Sequence, residues 1–522
     1  MSTPDKGRRN FLKVVGLGAA AMVSSIDNTT GKTGLKQQLL TVNPQPRFDL
    51  SPYLYMQFME PLGTTDGSVA AAWDFVQDRF REDVVEVTKE LAPTLVRWGG
   101  AFIAYYRWKE AVGPRDQRKP MINIAWGGIE SNQIGTGEFV DFCRQVGAEP
   151  LMCVNFESEG RNYSLPPSKG GIRSAGPEEA AEWVDYCNNP SNATRRKHGV
   201  KEPYKINLWQ LGNETSYGRN RYDYETAARR TVVFAKAMRK ADPNIKLIGW
   251  GDSDWAPKMI EDAGEHLQYI AFHHMFNPDS KSPTLRDNEY RKDPARTWDI
   301  LMNAYKPHES KIKRLYEQVK DYNMPLAMTE CHFSIPGRNR CEVLSTWAAG
   351  VSYARLLNIH ERYGDILKIA TAADFCGTRW QVNAIMIPVP RRRGKAFMMP
   401  VARVMNLYRK HTGEKAIDVT EVPDGLDITA SRTGNRIFLH AVNTNRMQSV
   451  TTQLVVDGMT INSGNVFEIA TEPEFEVMKS RPNVIAPKEK KFSRSGLWTF
   501  PPASVSAIEL DVQTNKIFEE SS

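Results

Sequence analysis

The sequence predicts an α/β protein that consists of a (β/α)8 TIM barrel followed by a C-terminal antiparallel β-sandwich. Two patterns in the 522 residues indicate this fold. Between residues 48 and 412, eight short apolar runs alternate with long segments of helical periodicity, as a barrel of parallel strands requires. From residue 413 to residue 513, short alternating runs are separated by Gly, Asn, Asp or Pro, which is typical of a small sandwich.

The eight runs are predicted strands, and most are continuous in apolar residues because the strands of a parallel sheet are buried on both faces. They are Tyr53–Met59, Thr94–Trp98, Glu149–Val154, Ile206–Leu211, Lys246–Trp250, Leu267–His273, Pro325–Thr329 and Leu367–Thr371. The segments predicted to be helical are Asp78–Leu91, Thr136–Val146, Pro177–Cys187, Tyr222–Ala241, Thr297–Tyr322 and Cys341–Tyr363.

The predicted sandwich begins at residue 413, and a tail of residues 514–522 follows it. Its strands are predicted at Leu426–Ser431, Arg436–Val442, Thr451–Val456, Val466–Ala470, Phe475–Lys479 and Val505–Leu510. The sequence Thr-Gly-Asn-Arg at 433–436 predicts the turn of a β-hairpin.

The first 26 residues are predicted to be a twin-arginine export signal. Gly-Arg-Arg-Asn-Phe-Leu-Lys at 7–13 precedes an apolar stretch from Val14 to Val23, which is shorter than the roughly 20 residues of a membrane-spanning helix. The alternative is a basic amphipathic start with no targeting role. Residues 27–47 are predicted to be a linker or an N-terminal strand. The signal predicts a periplasmic or secreted mature protein.

Composition argues against several classes of function. Lys and Arg number 68 against 61 Asp and Glu, a net charge of +7 that lies partly in the first 26 residues, so we expect no nucleic-acid partner. No later segment approaches transmembrane length, so we expect no membrane association after signal cleavage. The six Cys form no C-x-x-C motif and no Cys/His cluster with metal spacing, so we predict neither a metal nor a cofactor. Cys143, Cys153 and Cys187 are predicted to be buried free thiols.

Polar residues end several predicted strands, at the edge where a barrel carries its active site. Glu60 ends the first run and Asn155 the third. Asn213 and Glu214 follow the fourth run, and Glu330 follows the seventh. A lone Glu after a strand is more often a cap or an ion-pair partner. Glutamates after the fourth and seventh strands are a sharper signal, because these strands face each other across a barrel.

Two carboxyl groups on either side of a cavity are the requirement for cleaving a glycosidic bond. In a retaining enzyme they lie about 5–5.5 Å apart, and one attacks the anomeric carbon while the other protonates the leaving oxygen. We therefore predict that Glu214 and Glu330 are catalytic. Asn213 is placed to hydrogen-bond a hydroxyl group of the substrate.

An ordered set of motifs runs from Leu91 to Glu214. It comprises Pro-Thr-Leu-Val-Arg-Trp-Gly-Gly (93–100), Tyr-Arg-Trp (106–108), Val-Gly-Pro-Arg-Asp-Gln-Arg (112–118), Ile-Ala-Trp-Gly (124–127), Ser-Asn (131–132), Gly-Thr (135–136), Glu-Phe (138–139), Gly-Ala-Glu-Pro (147–150), Cys-Val-Asn (153–155), Glu-Trp-Val-Asp-Tyr-Cys-Asn (182–188) and Leu-Gly-Asn-Glu (211–214). By these motifs the chain resembles glycoside hydrolase family 51, the α-L-arabinofuranosidase family. The resemblance implies that Glu214 is the acid/base and Glu330 the nucleophile. It also implies that Asn213 and Glu60 bind the sugar.

The sequence departs from the pattern of that family at four places. Ala101 follows the Gly-Gly pair, where the family has Asn or sometimes Cys. Met275 stands where a Tyr is expected, and Trp380 where a Gln is expected. Cys331 and His332 follow the nucleophile in place of Trp-Asn. Because polar groups of the pocket decide which hydroxyls are accepted, the resemblance implies glycosidase chemistry more firmly than it implies the sugar.

Further side chains are predicted to contact the substrate. His273 and His274 are adjacent on a strand, so only one of them can face the interior, and either could instead be a core residue. Trp98 and Trp380 lie near strand ends and could stack on a sugar ring or fill the core. Arg379 follows the eighth strand and completes the predicted substrate contacts.

A basic rim is predicted on the catalytic face. Its members are Arg338, Arg340, Arg379, Arg391, Arg392, Arg393 and Lys395. Arg side chains pair well with carboxylates, so the rim could bind an acidic polysaccharide. The alternative is a solvated loop whose charges keep the protein soluble, which is the commoner role of a charge run.

Together these features predict an exported retaining glycosidase. It would remove α-L-arabinofuranosyl or related side-chain sugars from plant or algal polysaccharides by double displacement. Two alternatives stay open: a glycosidase of the same clan with a different substrate, acidic or cleaved internally, and a non-catalytic glycan-binding protein. The expected partner is an oligo- or polysaccharide, and the family resemblance implies a homo-oligomer.

Overall fold

The computed structural model describes residues 38–160, 173–218, 221–337, 341–478, 480 and 485–515. The predicted export signal and the rim residues Arg338 and Arg340 lie outside this part of the chain. No helix within these ranges is both long enough and apolar enough to cross a membrane.

The eight strands predicted for the α/β domain are confirmed, and they form one parallel sheet in chain order. Strands one to eight are Gln57–Met59, Leu95–Trp98, Glu149–Val154, Leu208–Leu211, Lys246–Trp250, Tyr269–Phe276, Leu326–Phe333 and Leu367–Ala370. The backbone N–H of Met56, just before strand one, donates to the carbonyl of Ala370 in strand eight at 3.0 Å. This bond links strand eight to the segment that precedes strand one, and the domain is a TIM-like α/β domain.

Eleven α-helices occur in the described ranges, and most of them connect the parallel strands. They are Ser68–Ala72, Glu82–Leu91, Thr136–Val146, Pro177–Asn188, Ala193–Lys197, Tyr224–Ala241, Ala256–Ala263, Pro294–Met302, Tyr305–Val319, Trp347–Arg362 and Pro400–Lys410. The predicted helix Thr297–Tyr322 is wrong, because the structure has two helices there. The Asn303 side chain donates to the carbonyl of Asp299 at 2.7 Å, a local bond that competes with helix continuation.

The helix before strand eight begins later than predicted, at Trp347 rather than Cys341. Thr346 caps it, because its hydroxyl accepts from the backbone N–H of Ala349 at 3.3 Å.

The C-terminal domain is one mostly antiparallel sheet of nine strands. In chain order they are Gln38–Asp49, Lys415–Glu421, Leu426–Thr433, Arg436–Asn443, Val450–Val456, Met459–Ala470, Lys488–Lys491, Leu497–Phe500 and Ser504–Thr514. The first of these was predicted to be a linker or an N-terminal strand. It is a strand inserted between Lys415–Glu421, to which it is antiparallel, and Val450–Val456, to which it is parallel.

The predicted strand Phe475–Lys479 is wrong. In its described part only Glu476 pairs, through a single bridge to Thr346. The Glu476 carboxylate instead accepts from Tyr290 at 3.0 Å and from the guanidinium of Arg291 at 2.8 Å. These contacts tie the segment to the α/β domain rather than to the sheet.

One apolar cluster fills the interior of the β domain. It includes Leu40 from the first strand, Leu439 and Leu454 from the fourth and fifth strands, and Ile508 from the last strand. Side chains from strands throughout the sheet therefore meet each other, so the sheet curls over its own inner face.

A buried polar contact joins the two domains. Glu361, in the helix Trp347–Arg362, accepts from Tyr55 Oη at 2.7 Å and from Thr429 Oγ1 at 2.5 Å. It also lies 2.8 Å from His440 Nδ1, whose Nε2 lies 3.1 Å from the carbonyl of His411. Both ring nitrogens of His440 therefore face acceptors, and the ring links Glu361 of the α/β domain to the β domain.

Candidate active site

Glu214 and Glu330 converge on His273 at the carboxyl ends of parallel strands four, six and seven. His273 Nδ1 lies 3.0 Å from Glu214 Oε1 and 3.7 Å from Glu330 Oε2. One oxygen of each carboxylate and a ring nitrogen of His273 all lie within 4.8 Å of one another. The two side chains therefore face the same small space, as the sequence predicted for a catalytic pair.

Local backbone features direct these side chains inward. Gly212 follows strand four with a φ of 74°, and a Cβ there would lie 2.7 Å from the Phe156 side chain, so only glycine fits. Between strands six and seven the register shifts, because Phe272 pairs with Met328 and His273 pairs with Glu330. Thr329 is the extra residue of this bulge, so Thr329 and Glu330 both contact His273.

His273 is a neutral ring held by two hydrogen bonds. Its side chain is fully buried, and burial lowers its pKa to about 4, although the nearby Glu330 charge acts in the opposite direction. Nε2 lies 2.9 Å from Thr329 Oγ1. Nδ1–H can therefore donate to the Glu214 carboxylate while Nε2 accepts from the Thr329 hydroxyl, an arrangement that orients Glu214.

Arg97, in strand two, fixes Glu330 and was missed as a site residue. Its guanidinium is completely buried and donates to Glu330 Oε1 at 2.9 Å. It also donates to Gln210 Oε1 at 2.7 Å and to Asn213 Oδ1 at 2.6 Å. The available signal was a charged residue within the apolar run Leu95–Trp98, since an Arg survives inside a sheet only when its donors are paired.

The prediction that Trp98 binds the substrate is wrong. Successive side chains of a strand point to opposite faces, so the inward direction of Arg97 turns Trp98 outward. Trp98 is 1% exposed, and its ring packs 5.2 Å from that of Phe139 in the helix Thr136–Val146. It is a core residue between sheet and helix.

Glu60, at the end of strand one, lies beside Glu330. Its Oε1 accepts from Trp126 Nε1 at 2.8 Å and from the Phe102 N–H at 3.2 Å. Burial, and then the charge of Glu330, raise the pKa of Glu60 well above its ordinary value. Gly100 permits this position, because a Cβ there would lie 2.2 Å from Glu60 Cδ.

Trp380 and Trp126 form an aromatic corner at the mouth, with ring centroids 5.9 Å apart at 86°. The loop that carries Trp380 is held by the buried Asp66. Asp66 accepts five hydrogen bonds, including those from the backbone N–H groups of Arg379 at 2.9 Å and Trp380 at 3.1 Å. The corner is half-buried and the Arg379 side chain is exposed.

Asn155 is engaged in holding the backbone. Its Nδ2 donates to the carbonyls of Tyr106 at 3.2 Å and Arg173 at 3.0 Å. Its Oδ1 accepts from the N–H groups of Ser158 and Ala175, both at 3.3 Å. An Asn side chain has two donors and two acceptor positions, so in this structure none is left for a sugar, and the predicted substrate contact is corrected to a positioning role.

Of the two adjacent histidines only His273 faces the interior, as their alternation predicted. The prediction that His274 binds substrate is wrong, since its ring stacks 4.3 Å from Phe276 and lies 5.3 Å from His308 on the helix side. Burial lowers the pKa of His274 to about 4.

The interpretation of the basic rim stays open. Arg391 pairs with Asp74 at 2.8 Å, and Arg379, Arg391, Arg392 and Arg393 are all exposed. All six cysteines are free, and all but Cys341 are buried, which confirms the expectation for Cys143, Cys153 and Cys187.

Among the described residues, Glu214, His273 and Glu330 are a group of three side chains close enough to hold a metal ion. The Arg97 guanidinium lies 2.9 Å from one of the Glu330 oxygens, and a fixed positive charge at that distance disfavours a cation. The same group is suited to holding and moving protons.

Comparison with known proteins agrees with this geometry. The α-L-arabinofuranosidase 1 domain family matches residues 87–295. In this part the chain is similar to α-L-arabinofuranosidases. Its resemblance to glycoside hydrolase family 51, inferred from the motifs, is thereby confirmed.

Relatives of this arabinofuranosidase-like protein include the intracellular exo-α-(1→5)-L-arabinofuranosidase 1 of Bacillus subtilis, 28% identical over 62% of this chain and 65% of the relative. The intracellular exo-α-(1→5)-L-arabinofuranosidase of Acetivibrio thermocellus is 32% identical over 46% of this chain and 49% of the relative. The chain thus spans less than two thirds of the length of these relatives. A family 51 α-L-arabinofuranosidase from Bifidobacterium longum shares the fold, with a TM-score of 0.74 at 20% identity over 90% of this chain and 99% of that one.

Proposed function

We propose that this protein is a retaining α-L-arabinofuranosidase that removes terminal arabinofuranosyl groups from polysaccharide side chains. The observation that carries the proposal is the convergence of Glu214 and Glu330 on one ring nitrogen of His273, all within 4.8 Å. This separation resembles the roughly 5 Å between carboxyls in retaining glycosidases. An inverting enzyme needs a wider gap, because a water molecule must fit between the carboxylate and the sugar.

The residues suggest a division of roles. Glu330, which the buried Arg97 holds in position, attacks the anomeric carbon. Glu214 gives its proton to the leaving oxygen as the glycosidic bond breaks, and a glycosyl ester forms on Glu330. Glu214, now ionised, then takes a proton from water, which attacks the anomeric carbon and releases Glu330 as the carboxylate. His273 keeps Glu214 oriented through both steps.

Sugar recognition is assigned to the groups around this pair. Asn213 Oδ1 is occupied by Arg97 at 2.6 Å, so its amide N–H groups are the ones that would donate to a substrate hydroxyl. Glu60, whose pKa is raised by burial, can act as a hydroxyl donor in its neutral form. Trp126 and Trp380 offer ring faces for stacking on sugar C–H groups.

The test is hydrolysis of 4-nitrophenyl α-L-arabinofuranoside, followed by proton NMR of the first product formed. We expect turnover with retention of the anomeric configuration, and a loss of at least about 10³-fold in kcat for Glu330→Gln. In Glu214→Ala, the activated nitrophenyl substrate should still form the glycosyl ester, and azide, which needs no base, should restore turnover. First-formed product of inverted configuration would exclude double displacement.

Glu468→Gln is the matched control. Glu468 is a glutamate of similar burial, 3% exposed, but it lies in the β domain and pairs with Lys490. Its substitution should leave kcat unchanged. If no glycoside is hydrolysed while sugar affinity is the same in the wild type, in Glu330→Gln and in Glu214→Ala, the chain is a glycan-binding protein instead.

We also propose that residues 1–26 direct export by the twin-arginine route. The Arg pair and the short apolar stretch support it, although two relatives are named intracellular. Cell fractionation of the full chain and of an Arg8→Lys, Arg9→Lys variant tests this proposal. We expect the wild type in the periplasm and the variant in the cytoplasm.

Two finer features of the fold are proposals as well. The Met56–Ala370 hydrogen bond supports a fully closed (β/α)8 barrel, and the shared apolar cluster of the nine-stranded sheet supports sandwich-like packing of its two halves. The family resemblance suggests a homo-oligomer, which light scattering after gel filtration would test.

A further inference from the structure

His332 and Asp374 form a polar pair near Glu330 that the proposed mechanism does not use. His332 Nε2 lies 3.7 Å from Asp374 Oδ1, just beyond hydrogen-bond distance. Asp374 is 7% exposed, and its Oδ1 is buried without a hydrogen-bond partner. An unsatisfied buried carboxylate oxygen is costly, so a group that could fill this gap would be stabilised there.

The position of the pair places it beside the reacting centre. His332 follows Glu330 by two residues in strand seven, so both side chains point to the same face, about 7 Å apart along the strand. Met275, opposite His332 in register on strand six, adds an apolar neighbour. Asp374 begins the short strand Asp374–Gly377 that follows strand eight. A sugar bound at Glu330 would therefore present a carbon remote from its anomeric centre to this pair.

The hydrogen-bonding pattern of the pair matches a hydroxyl group. His332 Nδ1 lies 2.9 Å from the carbonyl of Phe333, and because a carbonyl only accepts, Nδ1 carries the ring hydrogen and Nε2 of the neutral ring is an acceptor. With one proton on the pair, either Asp374 donates and Nε2 accepts, or the reverse. A hydroxyl also has one donor and one acceptor function, so it can bridge the pair in both forms.

The charges around Asp374 favour this singly protonated form. Burial raises the pKa of Asp374 to about 6, helped by the charges of Glu330 and Asp66 and opposed by that of His332. Glu60 also feels the Asp374 charge. The other titratable groups near Asp374 are the buried thiols of Cys331 and Cys376, the partly buried thiol of Cys341 and the hydroxyl of Tyr353, whose raised pKa values keep them neutral. Above about pH 6 Asp374 loses its proton and can then only accept a hydrogen bond from a hydroxyl.

We propose that His332 and Asp374 form a specificity subsite in which His332 Nε2 and Asp374 Oδ1 together bind one sugar hydroxyl, on a carbon remote from the anomeric carbon. The inference rests on the proposed glycosidase function and deepens it. On an arabinofuranosyl group the candidates are the 3- and 5-hydroxyls, since the 2-hydroxyl lies next to the anomeric carbon.

The experiment compares 4-nitrophenyl α-L-arabinofuranoside with its 2-, 3- and 5-deoxy analogues. In Asp374→Leu, kcat/KM on the parent glycoside should fall about 10- to 100-fold, mostly through KM. On the one analogue that lacks the bound hydroxyl, Asp374→Leu and wild type should have equal kcat/KM. His332→Leu should show the same pattern on the same analogue and is the second variant should Asp374→Leu fail to fold.

The pH dependence gives an independent readout. The quantity to measure is kcat/KM on the parent glycoside divided by kcat/KM on the sensitive analogue, which is the one that lacks the bound hydroxyl. Because Glu214 acts on both substrates, the effect of its titration cancels in this ratio. In wild type this ratio should decrease about tenfold between pH 5.5 and pH 8. In Asp374→Asn it should stay constant, because the amide offers a donor to the hydroxyl at every pH. Asp279→Asn is the matched control, since Asp279 is equally buried but binds only its own loop through Leu285 N–H.

The outcomes separate the two proposals. If Asp374→Leu lowers kcat/KM by the same factor on all four substrates, or on none, while wild type is active, the subsite is refuted and the glycosidase proposal stands. If wild type hydrolyses none of the four, the proposed function fails and the subsite falls with it. A constant ratio in wild type across the pH range also refutes recognition of the hydroxyl by the protonated form of Asp374.

Discussion

Replacing Arg97 by Lys tests the idea that one buried guanidinium organises the catalytic pair. Arg97 donates to Glu330, Gln210 and Asn213 at 2.6–2.9 Å from a fully buried position. Lys keeps the charge, but its single nitrogen on a shorter stem cannot serve three acceptors that are arranged for a planar fork. We expect it to keep one of these bonds and lose two.

The expected cost follows from these contacts. Buried hydrogen bonds that involve a charged group contribute about 1.5–3 kcal/mol each, so losing two removes about 3–6 kcal/mol. A nucleophile displaced by about 1 Å costs roughly 100-fold in rate, which corresponds to about 3 kcal/mol. We therefore expect Arg97→Lys to lower kcat about 100-fold and, as a separate effect, to lower the free energy of unfolding by about 3–6 kcal/mol.

The assay is kcat and KM on 4-nitrophenyl α-L-arabinofuranoside, together with urea unfolding followed by circular dichroism. Arg81→Lys is the control, because Arg81 is a buried arginine, 4% exposed, that donates to both oxygens of Asp83 at 3.0 and 2.7 Å away from the catalytic pair. It should lose stability and keep its kcat. A kcat for Arg97→Lys within threefold of wild type would refute the positioning role.

Three further predictions concern the pocket and stability against acid. Asp66→Ala removes the acceptor of five hydrogen bonds in the Trp380 loop. With the same substrate, KM should therefore rise about tenfold or more with little change in kcat. An unchanged KM would contradict a role for the loop in substrate binding. Gly100→Ala should lower kcat/KM at least tenfold, because its Cβ displaces Glu60, and Gly147→Ala, with open space around its Cβ, is the control. Burial lowers the pKa of His274 to about 4 in the folded protein, against about 6.5 in the unfolded chain. The contribution of His274 to the free energy of unfolding is therefore lost as pH falls from 6.5 toward 4. The loss is about 2 kcal/mol at pH 5. His274→Phe should therefore reduce the decrease in Tm between pH 7 and pH 5, and an unchanged decrease would show that other groups control acid unfolding.

Local pattern was sufficient for the parallel strands and for the catalytic candidates. A doubly buried strand must be apolar along its length, so the end of each run was visible, and a polar residue at that end, such as Glu214, stood out. The fourth and seventh strands of a barrel face each other whatever their loops contain. For this reason the convergence of Glu214 and Glu330 could be expected before any coordinates were known.

The register of neighbouring strands could not be predicted from local sequence pattern in the same way. Whether Arg97 or Trp98 faces the interior depends on how strand two is aligned with its neighbours, and shifting the alignment by one residue exchanges the two faces. The bulge at Thr329 is similar, since it is defined only by the pairing of strand seven with strand six. Sequence reasoning therefore chose Trp98 and overlooked Arg97.

The sequence by itself determined the order of the elements and the chemistry available at the strand ends, because burial imposes a periodicity that can be read locally. Only the tertiary structure decided which polar side chains meet. Gln38–Asp49 joins a sheet whose other strands begin at Lys415, and His332 meets Asp374 across two strands. Such contacts depend on register, loop path and domain packing, which are long-range properties that no local window of the chain contains.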